Sequence, residues 1–487
     1  MKNKAKQKSR WPASSDNTVG VAIIDSPLDY QHADIINVLD SELMKEISYI
    51  NEDGLEKSWY EINQEAKKNF QKNLDQGKYR EQLKFIEALS KLTEPQTLKT
   101  YKTSRIFMIK HLKNALKGLV NYTFSSKYRS QIQTIVRYIH GTHVAGIAVN
   151  GLKNIRLINI PLVTHESRKG ITELLKYDVL KQKEEIERYF ASISDALQKA
   201  NVRVVNLSIG ISDEMALKNL EYKANYSSRL FFKDTLKKMA KEAVEIYITE
   251  LEKLFKKNPN IVFVMAAGNE KIHLDKITKH SAKINQPNVI KVAAVNRAGA
   301  LASFSNKSSS YIDIAALGTA VRSSLIDGGH LDLSGTSQAA PNVTNALTSI
   351  FLEDSQISAQ EAISKLYSNL SSNELLLKTG VNGGKFLTQK LKNSQKRPGT
   401  YKHYISLEDP NQLSQDRFTE LIRDLTLKIK DNLFERTEIE YTVNGRSIAI
   451  QTISNQNGQL FNNVELIDKT TPSQVNCNSA IRQISGR

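Results

Sequence analysis

The sequence predicts an α/β fold: a parallel sheet with helices on both faces, carrying a large helical insertion and a small C-terminal α+β appendage. Three observations predict it. Short apolar runs rich in β-branched residues recur along the chain as "VGVAIID" (19–25), "IRLINIPLV" (155–163), "VRVVNLSIG" (202–210), "IVFVMAAGN" (261–269) and "NVIKVAAV" (288–295). Each is apolar at successive positions rather than alternating, as expected of strands buried on both faces. Amphipathic helical stretches separate them, the connection a parallel sheet requires.

Two stretches interrupt this rhythm. Residues from about 41 to 136 are long, charged and helical in pattern, as in "LEKSWYEINQEAKKNFQKNL", with no further strand of the main sheet. A second insertion covers about 213–240. It runs into a helix with Leu236, Ala240, Ala243, Tyr247, Leu251 and Leu254 at helical spacing. The domain reading is therefore a basic N-terminus (1–17), a main domain (18–394) with these two insertions, and a linker plus appendage (395–487). The linker is read from "KNSQKRPGTYKH". In the appendage "RFTELIRDLTLKIKDNLF" is helical in pattern, and "TEIEYTVNGRSIAIQTI" is two alternating runs about Asn444-Gly445, a hairpin signal.

Bulk properties narrow the function classes. The chain has 487 residues, 40% apolar and 24% charged, without an apolar run long enough to span a bilayer. One cysteine, Cys477, excludes an intramolecular disulfide framework. With no signal-peptide pattern at the N-terminus, these features point to the cytoplasm. The formal charge is +17, and between Lys99 and Arg137 there are nine Lys or Arg and no acid. That stripe suits a solvated face or an acidic protein partner. Specific nucleic-acid binding is disfavoured because no zinc-ligand spacing, RNA-binding signature or phosphate loop accompanies it.

Four motifs carry candidate chemistry, each with a bland alternative. In "VAIIDSPLDYQHADI" (21–35), Asp25 ends an apolar strand, where a carboxylate can serve chemistry or merely begin a turn. In "HGTHVAGIA" (140–148), Gly141 and Thr142 read as a turn and His143 as the first turn of a small-residue helix, a fixed frame for a general base or the site of a buried structural histidine. In "VMAAGNE" (264–270), Asn269 follows a buried strand as an oxyanion donor or a turn residue. In "SGTSQAAPNVTNA" (334–346), Ser337 opens a helix as nucleophile or as part of an N-cap. Pro341 cannot donate to the Ser337 carbonyl, which confines this segment to the opening turns.

Taken together, in the order Asp, His, Asn, Ser along one parallel sheet, these motifs resemble the subtilisin-like serine proteases, the subtilase family (peptidase family S8). Segments "VVNLSIG" and "ASFSNKSSSYIDIAALG" agree as well. The resemblance implies a subtilisin-like sheet and a serine endopeptidase acting through an acyl-enzyme. It implies that Asp25 supports His143, that His143 deprotonates Ser337, and that Asn269 holds the oxyanion. It further implies that Ser208, Ile209 and Gly210 pair with the backbone of a protein or peptide substrate, and that Ala266, Ala267 and Gly268 wall the primary specificity pocket, admitting large apolar side chains. Departures are Pro27 for a usual glycine, Gln338 for a methionine and Asn342 for a histidine. The short stretch before Val19 leaves no room for a propeptide, so the resemblance is to an intracellular type, with the 41–136 insertion a candidate for covering the cleft. No cofactor is required. Calcium is known in the family, but no ligand spacing identifies a site here. Two rival readings are a catalytically silent subtilase scaffold that binds proteins and a basic nucleic-acid adaptor.

Overall fold

The computed structural model describes residues 18–50, 56–76, 79–92, 117, 126–162, 179–223 and 232–387 (without 278, 298, 327, 373–375 and 377–380), and 397–407, 434–443, 446–456 and 459–466. The chain divides into two compact units, Met1–Thr388 and Gln389–Arg487.

In the first unit the five apolar runs become β1 (Val19–Asp25), β4 (Ile155–Pro161), β5 (Val202–Leu207), β6 (Val262–Ala266) and β7 (Val289–Val295). Before β4 lie a two-stranded ribbon of β2 (Ser48–Ile50) and β3 (Glu56–Ser58), and helices α1 (Ser41–Glu46), α2 (Trp59–Asp75), α3 (Arg80–Leu92) and α4 (Ser126–Ala148). Further on come α5 (Val179–Lys199), α6 (Asp213–Lys223), α7 (Lys233–Lys257), β8 (Ile314–Leu317), a separate hairpin of β9 (Val321–Ser324) and β10 (His330–Leu333), α8 (Thr336–Glu353), α9 (Ala359–Ser368), β11 (Ser371–Ser372) and β12 (Lys385–Phe386). The main sheet has the order β11-β12-β8-β7-β6-β5-β1-β4 and is parallel except for the pair β11–β12.

Because both faces of each central strand are apolar, both are covered. One face packs Val21, Val204, Val264 and Val292 against Val144 and Ala148 of α4 and Ala340, Val343 and Leu347 of α8. The other packs Ala22, Val205 and Phe263 against Phe190, Ile193 and Leu197 of α5 and Leu251, Leu254 and Phe255 of α7. The apolar stripe expected on the helix around 236–254 is wider than its spacing suggested, since Met239, Val244 and Phe255 are also buried.

The described residues of the 41–136 insertion add no strand to the main sheet, and they are bound into the body of the unit. Trp59 and Asn63 of α2 are fully buried, and the Asn63 side chain accepts the backbone N–H of Leu28 at 2.5 Å. Lys67 lies 2.9 Å from Asp29. One boundary departs from the sequence expectation of an insertion ending near 136, a turn at 141–142 and a new helix at His143. Instead α4 runs unbroken from Ser126 through Ala148. Glycine occupies position 141 within the helix because the packing leaves no space for a side chain there: a Cβ would collide with the Ser26 carbonyl oxygen.

In the second unit β13 (Arg397–Leu407), β14 (Phe434–Val443), β15 (Arg446–Gln456) and β16 (Gln459–Leu466) form one sheet in that order. The β14–β15 pairing closes on Val443–Arg446, the hairpin anticipated about Asn444-Gly445. The stretch read as helical before Phe434 and the residue Cys477 lie outside the described residues, as does most of the basic stripe at 99–137. Among the described residues no helix is long and apolar enough to cross a membrane.

Candidate active site

Strand β1 lies between β4 and β5, so the chain steps to one side of it and then to the other. In a parallel sheet the loops part at such a reversal and leave a crevice at the carboxyl ends of the strands. Asp25 is the last residue of β1 and Ser208 follows the end of β5.

Asp25 is 2% exposed. Its Oδ1 accepts the Ser26 backbone N–H at 2.7 Å and lies 2.6 Å from Nδ1 of His140. His143 is elsewhere. The expectation that His143 meets Asp25 is therefore corrected: α4 turns the two histidines, three residues apart in the chain, toward different neighbours. His140 leans on the β1 end because Gly141 lets the helix backbone press on Ser26, whose hydroxyl accepts the Gly141 N–H at 2.8 Å. His143 is fully buried against the β9–β10 hairpin, with Nε2 2.9 Å from the Leu331 carbonyl and its own carbonyl accepting the Ser323 hydroxyl at 2.7 Å.

The two environments push the rings in opposite directions. Burial disfavours an imidazolium at His140, but the charge of Asp25 and its hydrogen bond outweigh that, so the His140 pKa is raised above the ordinary 6.5. At His143 burial dominates, only partly offset by the Leu331 carbonyl, and the pKa is pushed down to about 3. Its Nδ1 has no partner among the described residues. A neutral ring whose bonded nitrogen faces the Leu331 carbonyl, while Asp25 faces His140, is a packing element. The sequence held the signal for His140: it opens the same motif, immediately before the glycine that permits the close approach.

Ser337 sits in the first turn of α8, 8% exposed. Pro341 withholds the helical donor from the Ser337 carbonyl, and the Ser208 hydroxyl supplies one instead at 2.8 Å. In return the Ser337 hydroxyl donates to the Ser208 carbonyl at 3.0 Å. This reciprocal pair ties the nucleophile candidate to the segment Ser208-Ile209-Gly210 beyond β5. Asn206, which donates to the Ser208 hydroxyl at 2.8 Å, extends the tie beneath.

Asn269 is exposed at the turn after β6. Its Oδ1 accepts from the backbone N–H of Thr336 at 2.8 Å and from the Thr336 hydroxyl at 3.0 Å, which fixes the orientation of the amide and leaves Nδ2 as its donor end. The Thr336 hydroxyl in turn accepts the N–H of Gly268 at 3.1 Å. Thr336, absent from the site expected from sequence, thus couples the Asn269 turn to Ser337. Ala266 and Ala267 are buried at 2% and 0%, and Gly268 takes a left-handed φ of 100° that favours glycine. Beneath them Asn306 holds the Ala267 carbonyl at 2.9 Å and the Glu270 carboxylate at 2.5 Å. His280, fully buried, lies 3.2 Å from where a Cβ on Gly268 would stand and 3.6 Å from one on Gly210.

No curated protein matches the chain. Among solved structures, a cold adapted subtilisin-like serine proteinase shares 20% identity, with 51% of this chain and 74% of that one covered and a TM-score of 0.35. An S41 psychrophilic protease shares 15% identity over 77% of this chain and 93% of its own, with a TM-score of 0.39. An epidermin leader peptide processing serine protease from Staphylococcus aureus shares 15% over 76% and 75%, with a TM-score of 0.40. The model of the subtilase family, peptidase family S8, matches residues 16–383, most of the chain, and the protein therefore belongs to this family of serine peptidases.

Proposed function

We propose that the protein is a serine endopeptidase in which Asp25, His140 and Ser337 form the reacting triad and Asn269 donates to the oxyanion. The 2.6 Å contact between Asp25 Oδ1 and His140 Nδ1 carries this reading. With Nδ1–H given to Asp25, the other ring nitrogen presents a lone pair, and the carboxylate stabilises the imidazolium once that nitrogen takes a proton. His140 then removes the hydroxyl proton of Ser337 as its Oγ attacks the scissile carbonyl, and delivers that proton to the leaving amine. Water, deprotonated by the same ring, releases the acyl group. Asn269 Nδ2 and the backbone N–H of Ser337 stabilise the oxyanion.

In the resting arrangement the Ser337 hydroxyl is held by the Ser208 carbonyl, so it must turn toward His140 before attack. Catalytic hydrogen bonds commonly tighten only when substrate is bound. The substrate backbone extends the sheet along Ser208, Ile209 and Gly210, while Gly268 borders the primary pocket. The buried imidazole of His280 stands beside both Gly210 and Gly268, at the margin of this pocket, whose small walls Ala266, Ala267 and Gly268 suit large apolar side chains. The segment 41–136 remains a candidate regulator of access. Its deletion is a poor test, however, because it would remove buried Trp59 and Asn63 and cut α4.

Labelling with a fluorophosphonate tests the enzyme reading against a silent scaffold. The folded wild type takes up one label and Ser337→Ala takes up none. A folded wild type that stays unlabelled and hydrolyses no peptide overturns the proposal.

A further inference from the structure

Away from Asp25 and Ser337, two segments distant in sequence meet through three metal-ligating side chains: His32 and Asp34 after β1, and His330 at the start of β10. Their ligand atoms all lie within 4.8 Å of one another. His32 Nδ1 is 3.7 Å from Asp34 Oδ2, and His330 Nε2 is 2.9 Å from the same oxygen. Two nitrogens converging on one carboxylate oxygen is a donor set suited to a borderline transition metal such as Zn²⁺, and poorly suited to calcium, which takes oxygen ligands.

The surroundings are those of a ligand set rather than of a simple ion pair. The His32 ring is fully buried and its Nε2 lies 3.1 Å from the Gly329 carbonyl, which can only accept. That contact puts the ring proton on Nε2 and the lone pair on Nδ1, toward Asp34; a metal-bound histidine is commonly oriented by such a carbonyl on its other nitrogen. Asp34 Oδ2 also accepts the Ser324 hydroxyl at 2.7 Å, so the carboxylate has an outer partner as well. The side chains of Asp34 and His330 are 18% and 16% exposed, which leaves a path for an ion to enter. The rings of His32 and His330 meet edge to face with centroids 5.4 Å apart, so neither shields the other's nitrogen by stacking.

We propose that His32 Nδ1, Asp34 Oδ2 and His330 Nε2 bind one divalent transition-metal ion of the zinc class. Binding draws the three atoms around the ion and turns the Asp34 backbone N–H, now 3.2 Å from Nδ1, off that lone pair. His330 must present Nε2 as a lone pair. The ion would join the segment that follows Asp25 to the hairpin that holds His143 and leads to Ser337, a staple across the two halves of the site.

The test uses the untagged full chain carrying Ser337→Ala, so that self-cleavage cannot interfere, after removal of metal with a chelator. Titration with Co²⁺ gives the visible d–d absorption of a low-coordinate site, saturating at one equivalent, and Zn²⁺ displaces it. His32→Gln and His330→Gln, which can still hydrogen-bond, lose the absorption. Ser324→Ala weakens binding about 10- to 100-fold, and His273→Gln changes nothing. If His330→Gln fails to fold, Asp34→Asn serves in its place, and folding is checked by a cooperative thermal transition whose midpoint Zn²⁺ raises in the parent only. Failure of the parent to bind Co²⁺ or Zn²⁺, or undiminished binding in folded His32→Gln and His330→Gln, overturns the proposal, as does selective binding of Ca²⁺. Because every arm lacks Ser337, the outcome is independent of the peptidase reading.

Discussion

Helix α4 serves two regions that use the same kinds of residue for opposite ends. On the side of the β1 end, Gly141 lets the backbone touch Ser26 and His140 meets a carboxylate. On the side of the β9–β10 hairpin, Gly146 lets the helix approach Ser323 and Ser324, and His143 meets a carbonyl. A carboxylate partner favours the charged ring, whereas a carbonyl in a dry site holds a neutral one. A histidine's role in this fold thus follows from the atom opposite it more than from its place in a motif.

Removing the carboxylate should erase the distinction most severely. Asp25→Asn, nearly isosteric, is expected to lower kcat by about 10⁴-fold while leaving KM largely unchanged, because the amide supports the wrong tautomer. Peptide kinetics on the folded variant check this, and a loss below tenfold would mean that the Asp25–His140 contact is not catalytic.

Acid should break the hairpin side. His143 is neutral in the folded chain with a pKa near 3 and titrates at its ordinary 6.5 when unfolded. The unfolded state therefore binds the proton first. The stability from a neutral buried ring is complete above about pH 6.5 and is lost progressively as pH falls toward 3, amounting to a few kcal/mol. Denaturant titrations of wild type and His143→Asn across that window should show a shallower dependence in the variant. Parallel curves would contradict the packing role.

The two glycines offer a matched pair. Gly141→Ala forces a Cβ against backbone and should cost about 1–3 kcal/mol. Gly146→Ala meets side-chain atoms of Ser323 and Ser324 rather than backbone, so the neighbours can give at the expense of their hydroxyl hydrogen bonds, and it should cost less. Thermal melts of both decide the order, and the reverse order would mean that the helix is not seated on Ser26 as described.

The smallest effect is on the pH profile. Since His140 must be neutral to act as base and its pKa is raised, the acid limb of kcat/KM should have its midpoint above 6.5, with activity falling as pH drops through it. A midpoint below 6.5 would show that Asp25 does not dominate the ring.

The strands were legible in the sequence because burial on both faces leaves an uninterrupted apolar run, and all five runs are strands of the sheet. The positions of Ser337 in a first helical turn and of Asn269 in the turn after a strand were legible because Pro341 and Gly268 mark those boundaries. His140 was not, since a glycine inside a helix looks locally like a turn; only the Ser26 carbonyl, distant in sequence, explains it. The β9–β10 hairpin was equally hidden: its strands are four residues each, so the alternation in "HLDL" is too short to announce a strand, and "VRSS" carries one apolar residue. Thr336 carries no local sequence signal because its part depends on contacts with Gly268 and Asn269 across the fold.

The most direct measurement is a side-by-side kinetic comparison of His140→Ala and His143→Asn, both shown to be folded, on one peptide substrate. The account predicts that His140→Ala loses about 10⁴-fold or more in kcat, and that His143→Asn stays within about tenfold of wild type once its lower stability is allowed for. Full activity in His140→Ala with abolished activity in His143→Asn would contradict the assignment of the base.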